Sequence, residues 1–146
     1  MTEEYFLRSA EDTRNLGKKL AKRCEDRPAL IYLRGDLGMG KTTLAQGFIS
    51  SLIGGSVRVQ SPTFAYMHRY QHKKPIYHFD LYRIEREATV LELGLNTFID
   101  DKTSLRLIEW PERLGGLITV PPDIDIILTS NNAIRTARVS FACLTP

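Results

Sequence analysis

Cysteine is almost missing from this chain. Cys24 and Cys143 stand near opposite ends of its 146 residues, in no spacing that suits a metal knuckle or a redox pair, so a reducing compartment is expected and cysteine chemistry is not. Long apolar runs are missing too: no stretch approaches the ~20 residues that cross a bilayer, and "MTEEYFLRSAED" lacks the basic and apolar regions of a secretory leader. The expected location is the cytoplasm, with no membrane partner. Charge of one sign is scarce, since 20 basic against 17 acidic residues leave +3, too small an excess to indicate a nucleic-acid surface by itself. The basic cluster "GKKLAKR" at 17–23 is read as the C-terminal end of a helix, where cations complement the helix dipole. There is no internal repeat and no low-complexity tract. His68 and His72 are four apart at a predicted strand and its end, not on one face of a helix, and have no cysteine or carboxylate set around them, which argues against zinc.

What remains is an ordinary globular composition, 42% apolar and 25% charged, in a length that suits a single domain over residues 1–146. "YFLR" at 5–8 reads as a strand. Ser9 and Asp12 form a capping-box-like start to a helix with Leu16, Leu20 and Cys24 on one stripe. "ALIYLR" at 29–34 has the β-branched and aromatic content of a buried strand. After Lys41, the positions Leu44, Ala45, Phe48, Ile49 and Leu52 recur at helical spacing and Gly54-Gly55 supplies a stop. "VRVQ" (57–60), "FAYMHRYQ" (64–71) and "IYHFDLYR" (76–83) read as strands, the last two joined by the hairpin connection "HKKP". "EREATVLELG" is helical to Gly94, followed by an irregular piece through Asp101. "SLRLIEW" is a further buried strand ended by Pro111, and "DIDIILTS", "NN" and "AIRTARVSFACL" form a closing antiparallel hairpin. The expected fold is α/β, a three-layer sandwich with a mixed central sheet.

The stretch "GDLGMGKTT" at 35–43 follows a strand and opens a helix. Its Gly35-x-x-x-x-Gly40-Lys41-Thr42 spacing is that of a loop that wraps phosphates. Glycines let successive backbone N–H groups turn inward and form an anion nest at a helix N-terminus. Lys41 would reach the β- and γ-phosphates, and the Thr42 hydroxyl would ligate Mg²⁺. With glycine at about 7% of residues, a chance match in such a chain is on the order of one in a few hundred. A dinucleotide-binding turn fits less well, because Thr43 stands where a third glycine or alanine belongs.

A triphosphatase also needs an acid at a strand end to hold the metal. Asp80 closes "IYHFD" and Glu109 closes "LRLIE", and either would serve if its strand ran parallel beside "ALIYLR". "SPTF" at 61–64 can offer a hydroxyl to a γ-phosphate or its metal, although by itself it is an ordinary turn. Trp110 reads as a core or pocket-wall aromatic and His78 as structural or exposed. Arg83 and Arg86 are candidate charge stabilisers within a solvated segment.

In this order, "GDLGMGKTT", "SPTF", "HFDLYR" and "IEWPERL" resemble the TsaE family, from near residue 5 to the last hairpin. That family supplies the ATPase subunit of the bacterial machinery that makes threonylcarbamoyladenosine in tRNA. The resemblance implies a P-loop nucleotide-binding fold with ATP and Mg²⁺ as cofactors. It implies that Gly35, Gly38, Gly40, Lys41 and Thr43 cradle phosphates, with Asp36, Leu37 and Met39 completing the loop. Thr42 would bind Mg²⁺, Thr63 would be the first switch residue, Asp80 and Glu109 the metal-linked acids, and Trp110 a neighbour of the nucleotide. The implied partner is the TsaB–TsaD heterodimer, whose transferase moves the threonylcarbamoyl group onto adenosine 37, while ATP hydrolysis resets the complex between turnovers. The residues point neither to nor away from direct tRNA contact. A small-molecule or nucleoside kinase with the same loop, and a non-catalytic nucleotide sensor, are the alternatives. A GTPase is disfavoured because "NTFID" lacks the lysine of a guanine-specific motif.

Overall fold

The computed structural model describes residues 1–55, 58–117 and 120–142. Among these, one mixed sheet runs through the molecule. Strand β1 (Thr2–Leu7) leads into helix α1 (Ala10–Cys24), and strand β2 (Ala29–Arg34) into helix α2 (Lys41–Ile53). An antiparallel pair, β3 (Met67–Tyr70) and β4 (Ile76–Asp80), is followed by two short helices, α3 (Glu87–Glu92) and α4 (Leu95–Ile99). Strand β5 (Leu105–Glu109) passes into a 3-10 segment (Pro111–Leu117), and β6 (Ile124–Asn131) pairs with β7 (Ile134–Phe141) in the closing hairpin. The sheet order is β1-β7-β6-β2-β5-β4-β3. Its centre, β6-β2-β5-β4, is parallel throughout.

The α1 start follows from its sequence: the Ser9 side chain accepts the Asp12 N–H at 3.0 Å, and the Asp12 carboxylate accepts the Arg8 N–H at 2.8 Å. These bonds satisfy donors that a helix start otherwise leaves open. Both faces of β2 are covered, which is why it reads as an unbroken apolar run. Ala29, Ile31 and Leu33 pack on one side with Leu16, Leu20 and Cys24 of α1 and Leu44, Phe48 and Ile49 of α2. Leu30 and Tyr32 pack on the other side with Val90 of α3, Leu95 and Ile99 of α4 and Leu114. The fold is thus the expected α/β three-layer sandwich around a mixed sheet.

One contact determines how α2 sits. A Cβ on Gly17 would stand 2.2 Å from the Leu44 carbonyl oxygen, and one on Gly47 2.2 Å from that of Arg14. The two helices therefore cross backbone against backbone, and only glycine fits at either place. This fixes α2 against α1 at close range.

Four expectations need correction. Residues 58–60 are not in a strand, and Val57 lies outside the described residues, as does Cys143. The strand expected over 64–71 is only Met67–Tyr70, because Tyr66 takes a left-handed φ of 65° that ends the extended run. The strand expected over 76–83 stops at Asp80, where Tyr82 N–H bonds back to the Asp80 carboxylate at 3.0 Å and turns the chain. The piece after Gly94 is helical, since Gly94 at φ 71° opens α4. Buried Cys24 has its thiol pushed up to about 11 by burial, which fits the inert role expected of it.

Candidate functional site

Parallel strands leave their C-terminal ends on one edge, and a cleft forms there of about 290 Å³. Register brings the two acids together: Glu109 lies between Leu33 on β2 and Asp80 on β4. The condition set for the acids is met for Glu109, whose strand β5 runs parallel beside β2; β4 is parallel but separated from β2 by β5, so Asp80 reaches the same edge as the neighbour of Glu109 and not of the loop strand. The glycine loop leaves β2 beside them. Gly35, Gly38 and Gly40 have φ values of 143°, 78° and 105°, a region that L side chains rarely adopt. Nothing lies within 4 Å of where a Cβ on Gly38 would stand, so that position opens on the cleft.

Lys41 begins α2 and is buried. Its Nζ donates to the carbonyls of Gly35 at 2.5 Å and Asp36 at 2.9 Å, and lies 4.4 Å from the centre of the Trp110 ring. Burial pulls its pKa below the ordinary lysine range, against the attraction of Glu109, Asp80, Glu112 and Asp36. Trp110 has a left-handed φ of 60°, lines the cleft and packs by its other side against the apolar cluster of Phe79, Ile108 and Leu114. Its ring packs against Tyr82 at 5.0 Å between centroids.

The two acids have different company. Glu109 is buried and accepts the Thr42 hydroxyl on both oxygens, at 2.9 and 3.1 Å. Its Oε2 also stands 2.6 Å from Nε2 of His78, a fully buried ring. Asp80 accepts the Thr63 hydroxyl at 2.7 Å, and Thr63 Oγ1 lies 2.6 Å from the Ser61 hydroxyl. Beside Thr63, the Phe64 ring is 80% exposed.

The cleft is lined by Leu37, Gly38, Gly40, Lys41, Thr42 and Thr43 of the loop and helix start, together with Thr63, Asp80, Glu109 and Trp110. Gly35, Asp36 and Met39 do not line it; the first two engage Lys41 through their carbonyls, and Met39 packs against the core. Arg83 stacks on Phe64 at 4.2 Å and Arg86 pairs with Glu92 at 3.7 Å, so neither candidate arginine is in the wall. Arg135 takes that place, and its Nη1 is 3.6 Å from where a Cβ on Gly40 would stand. It was missed because it sits in the strand β7, remote in sequence and in no motif. Tyr82 and His78 belong to the quoted "HFDLYR", but their places depend on the β4–β5 register.

Chemically, the site offers a glycine loop at a helix start, two cations and two strand-end carboxylates. Among the described residues no three His, Cys, Asp or Glu side chains gather as a metal cage. A hydroxyl hydrogen-bonded to a buried carboxylate is instead the donor set of a cation held mostly by phosphate and water oxygens, as Mg²⁺ is. No described helix is long and apolar enough to cross a membrane.

Known proteins match this pattern over most of the chain. The family model described as threonylcarbamoyl adenosine biosynthesis protein TsaE matches residues 7–138. Curated proteins named tRNA threonylcarbamoyladenosine biosynthesis protein TsaE include one from Rickettsia conorii, 37% identical over 85% of this chain and 69% of its own length. Another, from Haemophilus influenzae, is 38% identical over 77% of this chain and 71% of its own length. The crystal structure of YdiB from Bacillus subtilis superposes with a TM-score of 0.71 at 23% identity, covering 97% of this chain and 86% of that one; it supports the fold. With the family model spanning nearly all of the described sheet and relatives above 35% identity in distant bacteria, the chain belongs to the TsaE family, a family of tRNA threonylcarbamoyladenosine biosynthesis.

Proposed function

We propose that the chain binds ATP with Mg²⁺ in this cleft and hydrolyses it, as the ATPase subunit that acts on the TsaB–TsaD heterodimer. It resets that complex between rounds of modification at adenosine 37 of tRNA and does not perform the transfer itself. The observation that carries the reading is the convergence of the glycine loop, the Thr42–Glu109 bond and the Thr63–Asp80 bond on one cleft.

The loop amides from Gly38 to Thr43 take the phosphates at the start of α2, where the helix dipole favours anions. Lys41 exchanges its loop carbonyls for phosphate oxygens, and Arg135 adds a second cation beside Gly40. Thr42 and Glu109 would hold Mg²⁺, since a hydroxyl that donates to the carboxylate keeps a lone pair to offer a cation. Bound Mg²⁺ would neutralise phosphate charge. Asp80 couples Thr63 to the same place, and the Trp110 ring closes the wall. On this reading water is the acceptor, and inorganic phosphate is the expected product.

The energy of hydrolysis then serves to change affinities between partners, which needs an element that differs between nucleotide states. The 61–66 segment, tethered to Asp80 by Thr63, is that element. The test is ATP turnover with and without the TsaB–TsaD pair. Stimulated release of inorganic phosphate is expected; equal rates in both tubes, or a phosphorylated metabolite as product, would contradict the reading.

A further inference from the structure

Among the described residues, His78 is the one buried polar group at this edge that the mechanism does not yet use. It lies on β4 two residues before Asp80, so both side chains leave the same face of the sheet. It is fully buried, its Nε2 meets Glu109 Oε2 at 2.6 Å, and its Nδ1 has no hydrogen-bond partner among the described residues. A buried polar atom without a partner costs free energy. On the same face of β4, Ile76 fills its fully buried place with an aliphatic side chain, so packing alone does not call for an imidazole. One ring nitrogen goes unmatched in order that the other can meet the carboxylate.

That contact has a geometric result. Held by Thr42 alone, the Glu109 carboxylate could turn about its side-chain torsions and keep one bond. With Nε2–H fixed on Oε2 from the β4 side, the plane of the carboxylate is set, and both oxygens face the Thr42 hydroxyl. We propose that His78 is a positioning residue: Nε2–H orients Glu109 so that it holds Thr42, and any Mg²⁺ on Thr42, in one arrangement. This inference rests on the Mg²⁺–nucleotide reading of the cleft. The groups that orient a metal's immediate ligands typically matter by 10- to 100-fold in affinity or activity.

The experiment compares His78→Leu, which removes the donor, with His78→Gln, whose amide can put an N–H near the old Nε2. ATP binding is titrated with and without Mg²⁺, melting temperature is recorded, and the ligand-free chain labelled with ¹⁵N-histidine is examined by NMR. The expected result is an Nε2-protonated ring whose signal moves in Glu109→Gln. His78→Leu keeps Mg²⁺-free ATP affinity and loses about 10- to 100-fold in Mg²⁺ dependence, and His78→Gln recovers most of that loss. An Nδ1-protonated ring, a folded His78→Leu with wild-type Mg²⁺ dependence, or a His78→Gln as impaired as the leucine variant overturns the proposal. If His78→Leu does not fold, the glutamine variant and the ring signal decide. A wild-type chain that binds ATP with Mg²⁺ beside an unaffected variant defeats this inference alone; a wild-type chain that binds neither defeats the functional reading with it.

Discussion

Two carboxylates end neighbouring strands, yet they belong to mechanically different regions. Glu109 is buried, gripped by Thr42 from α2 and by His78 from β4, and α2 is itself pinned where Gly17 and Gly47 bring two helix backbones together. Asp80 is tied to Thr63 in an irregular segment that carries the exposed Phe64. The difference teaches a division of labour. The β5 strand end presents an acid held from two neighbouring elements, whereas the β4 strand end joins the same cleft to an irregular, partly exposed segment. A switch needs both, a fixed point and something to move relative to it.

The sharpest way to break this comparison is to remove the common anchor. Lys41→Ala deletes charge-assisted bonds to phosphate worth about 3 kcal/mol or more together, so ATP affinity should fall roughly a hundredfold or beyond; calorimetry checks it. At the β5 strand end, Glu109→Gln should slow partner-stimulated turnover by about a hundredfold while ATP still binds. At the β4 strand end, Asp80→Asn weakens one hydroxyl contact, and the expected cost is about tenfold, with faster amide exchange in residues 61–66 and none of that change in Glu109→Gln. If both variants loosen 61–66 equally, the two sides are not distinct.

Smaller effects sharpen the same picture. Gly47→Ala forces a methyl into the Arg14 backbone; overpacking of this kind costs about 1–3 kcal/mol, or roughly 3–10 °C in Tm. The pH response of Lys41 is smaller again. Burial lowers its pKa in the folded chain, so the folded state holds the proton less well than the unfolded chain does. Stability therefore gains as pH rises from the folded to the unfolded pKa. Phosphate affinity, which uses the charged form, should begin to fall at a pH below the ordinary lysine range. A titration of ATP affinity on the alkaline side measures this directly.

Much of the side held by α2 was legible in the residues. The α2 pattern of Leu44, Ala45, Phe48 and Ile49 has enough turns to show its period, and the loop glycines carry their own backbone signature. The strand ends at Asp80 and Glu109 were legible as candidates, but their adjacency was not, because register is decided by packing across the sheet. For the same reason His78 looked structural and Arg135 did not stand out. Short elements escaped too: α4 has five residues, fewer than the periodicity needs, and the end of β4 turns on one side chain to backbone bond at Asp80. Trp110 read as core or pocket wall, and the sequence could not choose because the ring serves both, packing on the apolar cluster and lining the cleft.

The most direct test of the account is a calorimetric titration of ATP into the wild-type chain with Mg²⁺ present, set against Lys41→Ala. Saturable binding at one site that the lysine variant loses is the predicted result. Heat no different from dilution in the wild type at millimolar nucleotide, or equal binding by the two chains, would contradict the assignment of the cleft.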